Sequence, residues 1–278
     1  MLALLTAAFT LAQQAPARLI VRGDDMGCTH AENAAIIQCF VSGIVTSAEV
    51  IVVSPWFPEA VKLLQQHPGL DVGVHLTITS EWDNLKWRPL TSCKSLIDSN
   101  GYFFPRVQHD KNQIGQAISE NQWDLLEIEQ ELRAQILLAQ KNIPHVSHLT
   151  LHMNFSKLSS SVAQLVQNLA KEYHIHIDPS DHQLISVGYN GPSKTSEEKL
   201  TSFLKMLKEL EPSKTYLFVD HPGYDNEEMR AMYHKGYENV ASDRQGVTDL
   251  FTNKRVKDFI HEHEIALIGY NDLLKTEK

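Results

Sequence analysis

At 278 residues with 42% hydrophobic side chains, the chain is long enough to bury the core of one large α/β domain or two small ones. Its 25 basic and 34 acidic residues leave a formal net charge of −9 without any basic cluster, which argues against nucleic acid or another polyanion as a partner. No later run reaches about 18 apolar residues, so no membrane span is expected.

Residues 1–16 are apolar and small before they turn polar, like the h-region and exit end of a secretory signal, with Ala12 or Ala15 as cleavage points. No Lys or Arg precedes Arg18, so the positive n-region is missing. The reading is a signal segment and a periplasmic or secreted protein, with a cytoplasmic one as the alternative. Cys28, Cys39 and Cys93 are odd in number and lack metal-site spacing, and read as buried free thiols.

From residue 17 onward strands and helices alternate. Residues 18–22 predict a strand. Thr29-His30-Ala31-Glu32 has the form of a capping box before a helix that Gly43 stops. Residues 49–53 are β-rich, Pro58 opens a second helix, and residues 71–76 predict the third strand. An irregular insertion at 77–121 follows, containing Trp82, Trp87, Tyr102 and Phe103. Such a length without pattern suggests a lid or substrate wall, whose aromatics either stack on sugar rings or form a satellite core.

The alternation then resumes with a helix over 124–141, a strand over 146–152, a helix over 162–173 and a strand over 174–178. Thr195 caps a further helix, residues 215–220 form a strand, residues 256–260 lie in a last helix, and residues 265–269 form the final strand. Seven strands separated mostly by helices, with no linker dividing them, predict a single α/β domain over 17–278. A closed or nearly closed parallel (β/α) barrel fits better than an open doubly wound sheet. Acids occupy the turn after the first strand, where a dinucleotide site needs bare backbone.

Several polar residues fall at strand ends. Asp24 and Asp25 follow the first strand, His75 lies near the end of the third, His152 ends the fourth, and His221 follows the sixth. In a (β/α) barrel those ends share one face, which carries the chemistry. Each placement alone has an ordinary explanation as a turn, a cap or a core histidine, but together they point to a polar site. His148 and His152 share a strand face about 13 Å apart, so only one of them can meet a given metal, and His152 is nearer the functional end. One Asp with two His suits zinc or a similar divalent ion. Adjacent Asp24 and Asp25 divide naturally into one ligand and one base, and His221 is placed to protonate a leaving nitrogen.

At these residues the chain resembles the YdjC-like family of carbohydrate deacetylases, which includes chitooligosaccharide deacetylases. The resemblance rests on Leu19 to Gly27, Asn33 to Ile36, Gly43 to Ser47, Pro68 to Leu76, the His148/His152 pair, His221-Pro222-Gly223, and Arg244 with its helix. It implies a distorted, TIM-barrel-like (β/α) barrel with about seven parallel strands. It also implies a divalent ion, zinc first and magnesium as an alternative, held by Asp25, His75 and His152. Asp24 then becomes the base and His221 the acid.

The implied reaction removes an acetyl group from an N-acetylated amino sugar or oligosaccharide and releases acetate; a homodimer would be unsurprising. The alternatives are a metal-dependent hydrolase of another amide or ester, and an inactive sugar-binding relative using Trp82 and Trp87 as platforms. The chain departs from the family at Thr150, where members often carry Asp, and at Leu151 and Asn154. That departure leaves the particular sugar open.

Overall fold

The apolar run at the start of the barrel is only the first half of its strand. β1 spans Arg18–Met26 and carries the ladder through both aspartates. The structure, a computed structural model, describes residues 14–177 and 184–273. Most of the signal-like segment and Asp178 therefore lie outside the described residues.

After β1 come α1 (His30–Val41), β2 (Ser47–Val50), α2 (Phe57–Gln66) and β3 (Asp71–Leu76). Past the insertion lie α3 (Leu125–Asn142), β4 (Val146–Leu151), α4 (Ser160–Glu172), β5 (His176–Ile177) and β6 (Ile185–Val187). The chain ends through α5 (Ser196–Leu207), β7 (Thr215–Asp220), α6 (Glu227–Arg230), α7 (Val240–Thr252), α8 (Lys254–Glu262), β8 (Ala266–Leu267) and α9 (Tyr270–Leu273).

Local chemistry accounts for most boundaries. Thr195 and Glu198 form a full capping box at α5, and Asp124 and Ser159 cap α3 and α4 through their side chains. Each such cap contributes about 1 kcal/mol. At α1 only half of the expected box is made. Thr29 Oγ1 accepts from the Glu32 amide at 3.0 Å, while the Glu32 carboxylate meets the Thr29 hydroxyl and Arg244.

The second strand is displaced from 49–53 to Ser47–Val50: the Ile51 amide still bonds to Met26 O at 2.9 Å, but the Ile51 carbonyl accepts from the Ser54 amide at 3.3 Å, which turns the chain out of the sheet. The fourth strand ends at Leu151, and His152 opens a tight turn in which Met153 and Asn154 take left-handed φ values of 51° and 48°. The short strand β6 and the helix α9 carry too few residues to show a periodic pattern.

Among the described residues every pairing between these strands is parallel, and the order is β5-β4-β3-β2-β1-β7-β6. This is the strand order of a barrel, in which β7 returns to pair with β1, and it stays open between β5 and β6, the two ends of the path. β7 covers one edge of β1 along Arg18–Gly23, so β8 and β2 share the other edge: β8 pairs Arg18 and Leu19, and β2 pairs the far end. The result is a curled parallel sheet, a distorted TIM-like barrel as expected.

Alternation along the strands then separates two layers. Leu19, Val21, Ala48, Val50, Val72, Val74 and Leu149 face the helices and belong to the main core. Burying one such Val or Leu side chain contributes about 1.5–3 kcal/mol. The other face of the sheet carries Ile20 and Leu217, which pack with Tyr270 and Leu273 at its N-terminal end. Above them the interior is polar: Arg22, Asp24, Glu49, His75, His148 and Thr150 are all buried.

The insertion contains two single 3₁₀ turns, Lys94–Leu96 and Ile118–Glu120, and otherwise irregular backbone. Its aromatics form a satellite core. Trp82 and Trp87 are 2% and 3% exposed and Phe103 is fully buried, so neither tryptophan is an open stacking platform. Trp87 donates its indole N–H to Thr79 O at 2.7 Å and lies edge-on to His152. All three cysteines are buried free thiols, and among the described residues no helix is long and apolar enough to cross a membrane.

Candidate metal centre

Strict alternation would send Asp24 and Asp25 to opposite faces of β1. Asp25 instead adopts φ 68°, and the register between β1 and β2 shifts between Gly23 and Met26. A left-handed residue with a Cβ costs about 1–2 kcal/mol, and Asp is among the side chains that tolerate it best. The local turn brings both carboxylates to one face. Gly27, at φ 101°, completes it; a Cβ there would collide with Ser54 Oγ.

Asp25 is held asymmetrically. Its Oδ2 accepts from Arg244 Nη2 at 3.1 Å, and the same guanidinium pairs with the buried Glu32. Its Oδ1 is buried and makes no hydrogen bond. That oxygen lies 3.4 Å from His152 Nδ1 and 3.7 Å from His75 Nε2. One ligand atom from each of Asp25, His75 and His152 lies within 4.8 Å of the others, and all three side chains are buried.

The two histidines present different ring nitrogens. His75 is held at Nδ1, 2.7 Å from Thr150 Oγ1, and turns Nε2 toward the aspartates. His152 is held at Nε2, 3.0 Å from Glu81 Oε2, and turns Nδ1 toward Asp25. An orphaned carboxylate oxygen converging with two imidazole nitrogens fits a divalent ion of the zinc class.

The remaining expected residues join the same cluster. Asp24 receives Arg22 Nε at 2.8 Å and Nη2 at 3.2 Å, and its Oδ2 lies 3.8 Å from His75 Nε2. His221 Nε2 is 3.7 Å from Asp25 Oδ2, and its side chain is 38% exposed. His148 stands apart. It is fully buried, stacks on Tyr270 at 3.7 Å and bonds to Glu49 at 2.6 Å. Its spacing from His152 along the strand keeps it below the cluster.

Burial raises the Asp25 pKa, but the charges of His221, His152 and Arg244 outweigh it and hold the carboxyl well below its usual range. Burial, reinforced by the charge of His152, lowers His75 to about 3, so it is a neutral imidazole at physiological pH. For His152 burial acts the other way from its partners, and Glu81 and Asp25 prevail and raise it well above normal. His221 likewise overcomes burial through Asp25, Asp220 and Asp24 and rises to about 9. Neutral His75 and cationic His221 thus stand on either side of Asp25.

Three participants were not singled out in the sequence. Glu49 is a lone acid in a β-rich run, and Arg22 is the second of two arginines bounding another; a charge inside a buried strand was the available signal. Glu81 comes from the patternless insertion and carried none. Above the cluster opens a cavity of about 450 Å³, with Glu81, Trp82, Met153, His234 and Tyr237 in its wall. That volume lies in the range of small-molecule sites, about 300–1,000 Å³.

Comparison with known proteins agrees with the fold. Residues 18–262 match the family described as YdjC-like protein. A carbohydrate deacetylase of Clostridium beijerinckii is 29% identical over 271 residues, covering 92% of this chain and all of that protein. A carbohydrate deacetylase of Brevibacillus brevis is 26% identical over 272 residues, covering 92% and 99%. A solved structure described as a cellobiose-phosphate cleavage protein of Enterococcus faecalis V583 superposes with a TM-score of 0.73 at 23% identity, covering 93% and 99%. With a match running through almost the whole barrel and through every residue of the cluster, the chain belongs to the YdjC-like protein family.

Proposed function

We propose that this protein is a metal-dependent carbohydrate N-deacetylase, a hydrolase that cleaves the acetamido C–N bond of an N-acetylated amino sugar or oligosaccharide. The observation that carries the reading is Asp25 Oδ1, a buried anionic oxygen without a hydrogen bond that faces Nε2 of His75 and Nδ1 of His152. The full-length similarity to proteins named carbohydrate deacetylase supplies the substrate class.

Asp25, His75 and His152 would hold the ion. Once bound, a divalent ion supplies Lewis acidity, polarising the acetyl carbonyl and lowering the pKa of water. Asp24, clamped by Arg22 through two contacts, accepts a proton from the attacking water. His221, cationic and open to the cavity, donates a proton to the departing nitrogen. Water adds to the carbonyl carbon, the C–N bond breaks, and acetate and a free amino sugar leave.

The test is acetate release from a panel of N-acetylated mono- and oligosaccharides, with simple amides and esters beside them, before and after chelation. Release from the sugars that stops on chelation and returns with zinc or magnesium is expected. Release only from the simple amides or esters, or release indifferent to chelator, would sink the reading.

A further inference from the structure

Beneath the cluster runs a buried hydrogen-bonded chain for which the proposed reaction has no use. Thr150 Oγ1 lies 2.7 Å from His75 Nδ1 and 2.6 Å from Glu49 Oε2. None of the three side chains has appreciable contact with solvent. Glu49 reaches this position from β2 across β3 because the residue between them is Gly73. The registers align Glu49 with Gly73 and Gly73 with His148, and a Cβ on Gly73 would overlap both flanking side chains. The second oxygen of Glu49 lies 2.6 Å from His148 Nε2 and 4.0 Å from Arg22 Nε.

A threonine hydroxyl has one proton and must choose between its two neighbours. Glu49, facing His148 and Arg22, is a carboxylate and only accepts. The hydroxyl proton therefore goes to Glu49, and the bond to His75 is made by the proton on Nδ1. An imidazole with its proton on Nδ1 keeps its lone pair on Nε2, the nitrogen that faces Asp24 and Asp25.

We propose that Glu49 and Thr150 form a positioning pair that fixes His75 as its Nδ1–H tautomer and thereby commits Nε2 to the divalent ion. The inference rests on the metal reading above. It assigns the acidic support of a ligand on β3 to a residue of the adjacent β2, transmitted through a neutral hydroxyl from β4 on the other side. Thr150 and Glu49 touch neither substrate nor reacting atoms; they act through His75.

Two measurements test the pair without relying on turnover. In ¹⁵N-histidine-labelled, metal-free wild type, with the His75 signals assigned by their loss in His75→Gln, Nδ1 should carry the proton and Nε2 should not. Zinc affinity by chelator competition should fall about 10- to 100-fold in Thr150→Val and stay within about threefold of wild type in Thr150→Ser, which restores the hydroxyl. A proton on Nε2 of His75 in wild type overturns the proposal even if Thr150→Val fails to fold. Wild-type zinc affinity in folded Thr150→Val overturns the relay alone and leaves the metal reading intact. No zinc binding by wild type itself overturns both.

Discussion

Arg244 Nη2 meets Asp25 Oδ2 at 3.1 Å, and the contact engages one carboxylate oxygen while Oδ1 is left facing two histidines. The same guanidinium is bonded to Glu32, so one cation from α7 compensates two buried acids. Replacing Arg244 by Met would leave both acids buried without it, at an expected cost of about 3–5 kcal/mol. Urea denaturation of metal-free Arg244→Met measures this, and a loss below about 1 kcal/mol would mean that Asp25 and Glu32 are neutralised in some other way.

Asp24→Asn keeps the shape of the side chain and removes the acceptor of the water proton. The expected result is a fall in kcat of about 10²- to 10⁴-fold with zinc affinity within about threefold of wild type. Steady-state acetate release beside chelator competition separates the two quantities. An equal loss of both would move Asp24 from base to ligand.

His152 takes part in the proposed coordination through the nitrogen it turns toward Asp25, yet its pKa in the metal-free chain is raised well above normal. Zinc binding near neutral pH should therefore displace a proton, and affinity should rise as pH rises. Calorimetry in buffers of different ionisation enthalpy counts the released protons. A count near zero at pH 7 would contradict the clamp of Asp25 and Glu81 on a cationic ring.

His221 rises from 6.5 to about 9 on folding. A histidine with a raised folded pKa contributes stability that is fully present below about pH 6.5 and is lost as pH climbs through about 9. The melting temperature of the metal-free protein should decline over that window, and less steeply in His221→Gln. His75, lowered to about 3, acts in the opposite sense: stability is lost as pH falls from about 6.5 toward 3. Thermal melts across pH 3–10 on both single variants check each sign.

Gly73→Ala adds one methyl group where the Glu49 carboxylate and the His148 ring lie. Overpacking of this kind typically costs about 1–3 kcal/mol. Because the displaced group is Glu49, the variant should also weaken zinc binding, whereas a methyl added at exposed Gly188 has open space around it. Comparing zinc affinity of folded Gly73→Ala with wild type decides whether the space serves the polar chain or only the packing.

Much of this architecture was legible because the signals were long or paired. β3 and β7 fall on the expected residues, since six-residue β-rich runs bounded by turn residues leave little choice. The strand-end placement of Asp24, Asp25, His75, His152 and His221 predicted their convergence, and they do converge. Asp25 was harder: its left-handed φ reverses the alternation that otherwise separates it from Asp24, and no propensity announces that exception. Glu49 was hidden because its partners, Thr150 and His148, lie about a hundred residues away. The role of the tryptophans stayed open in the sequence, because an aromatic in a long insertion looks the same whether it lines a wall or fills a void; Trp82 is buried and also borders the cavity.

Glu81 comes from the irregular excursion after β3, and so does part of the wall of the cavity. Grafting that stretch from a relative to change substrate preference would also exchange the carboxylate that grips His152. Sugar choice and ion retention would then shift together unless the graft keeps an acid in that place.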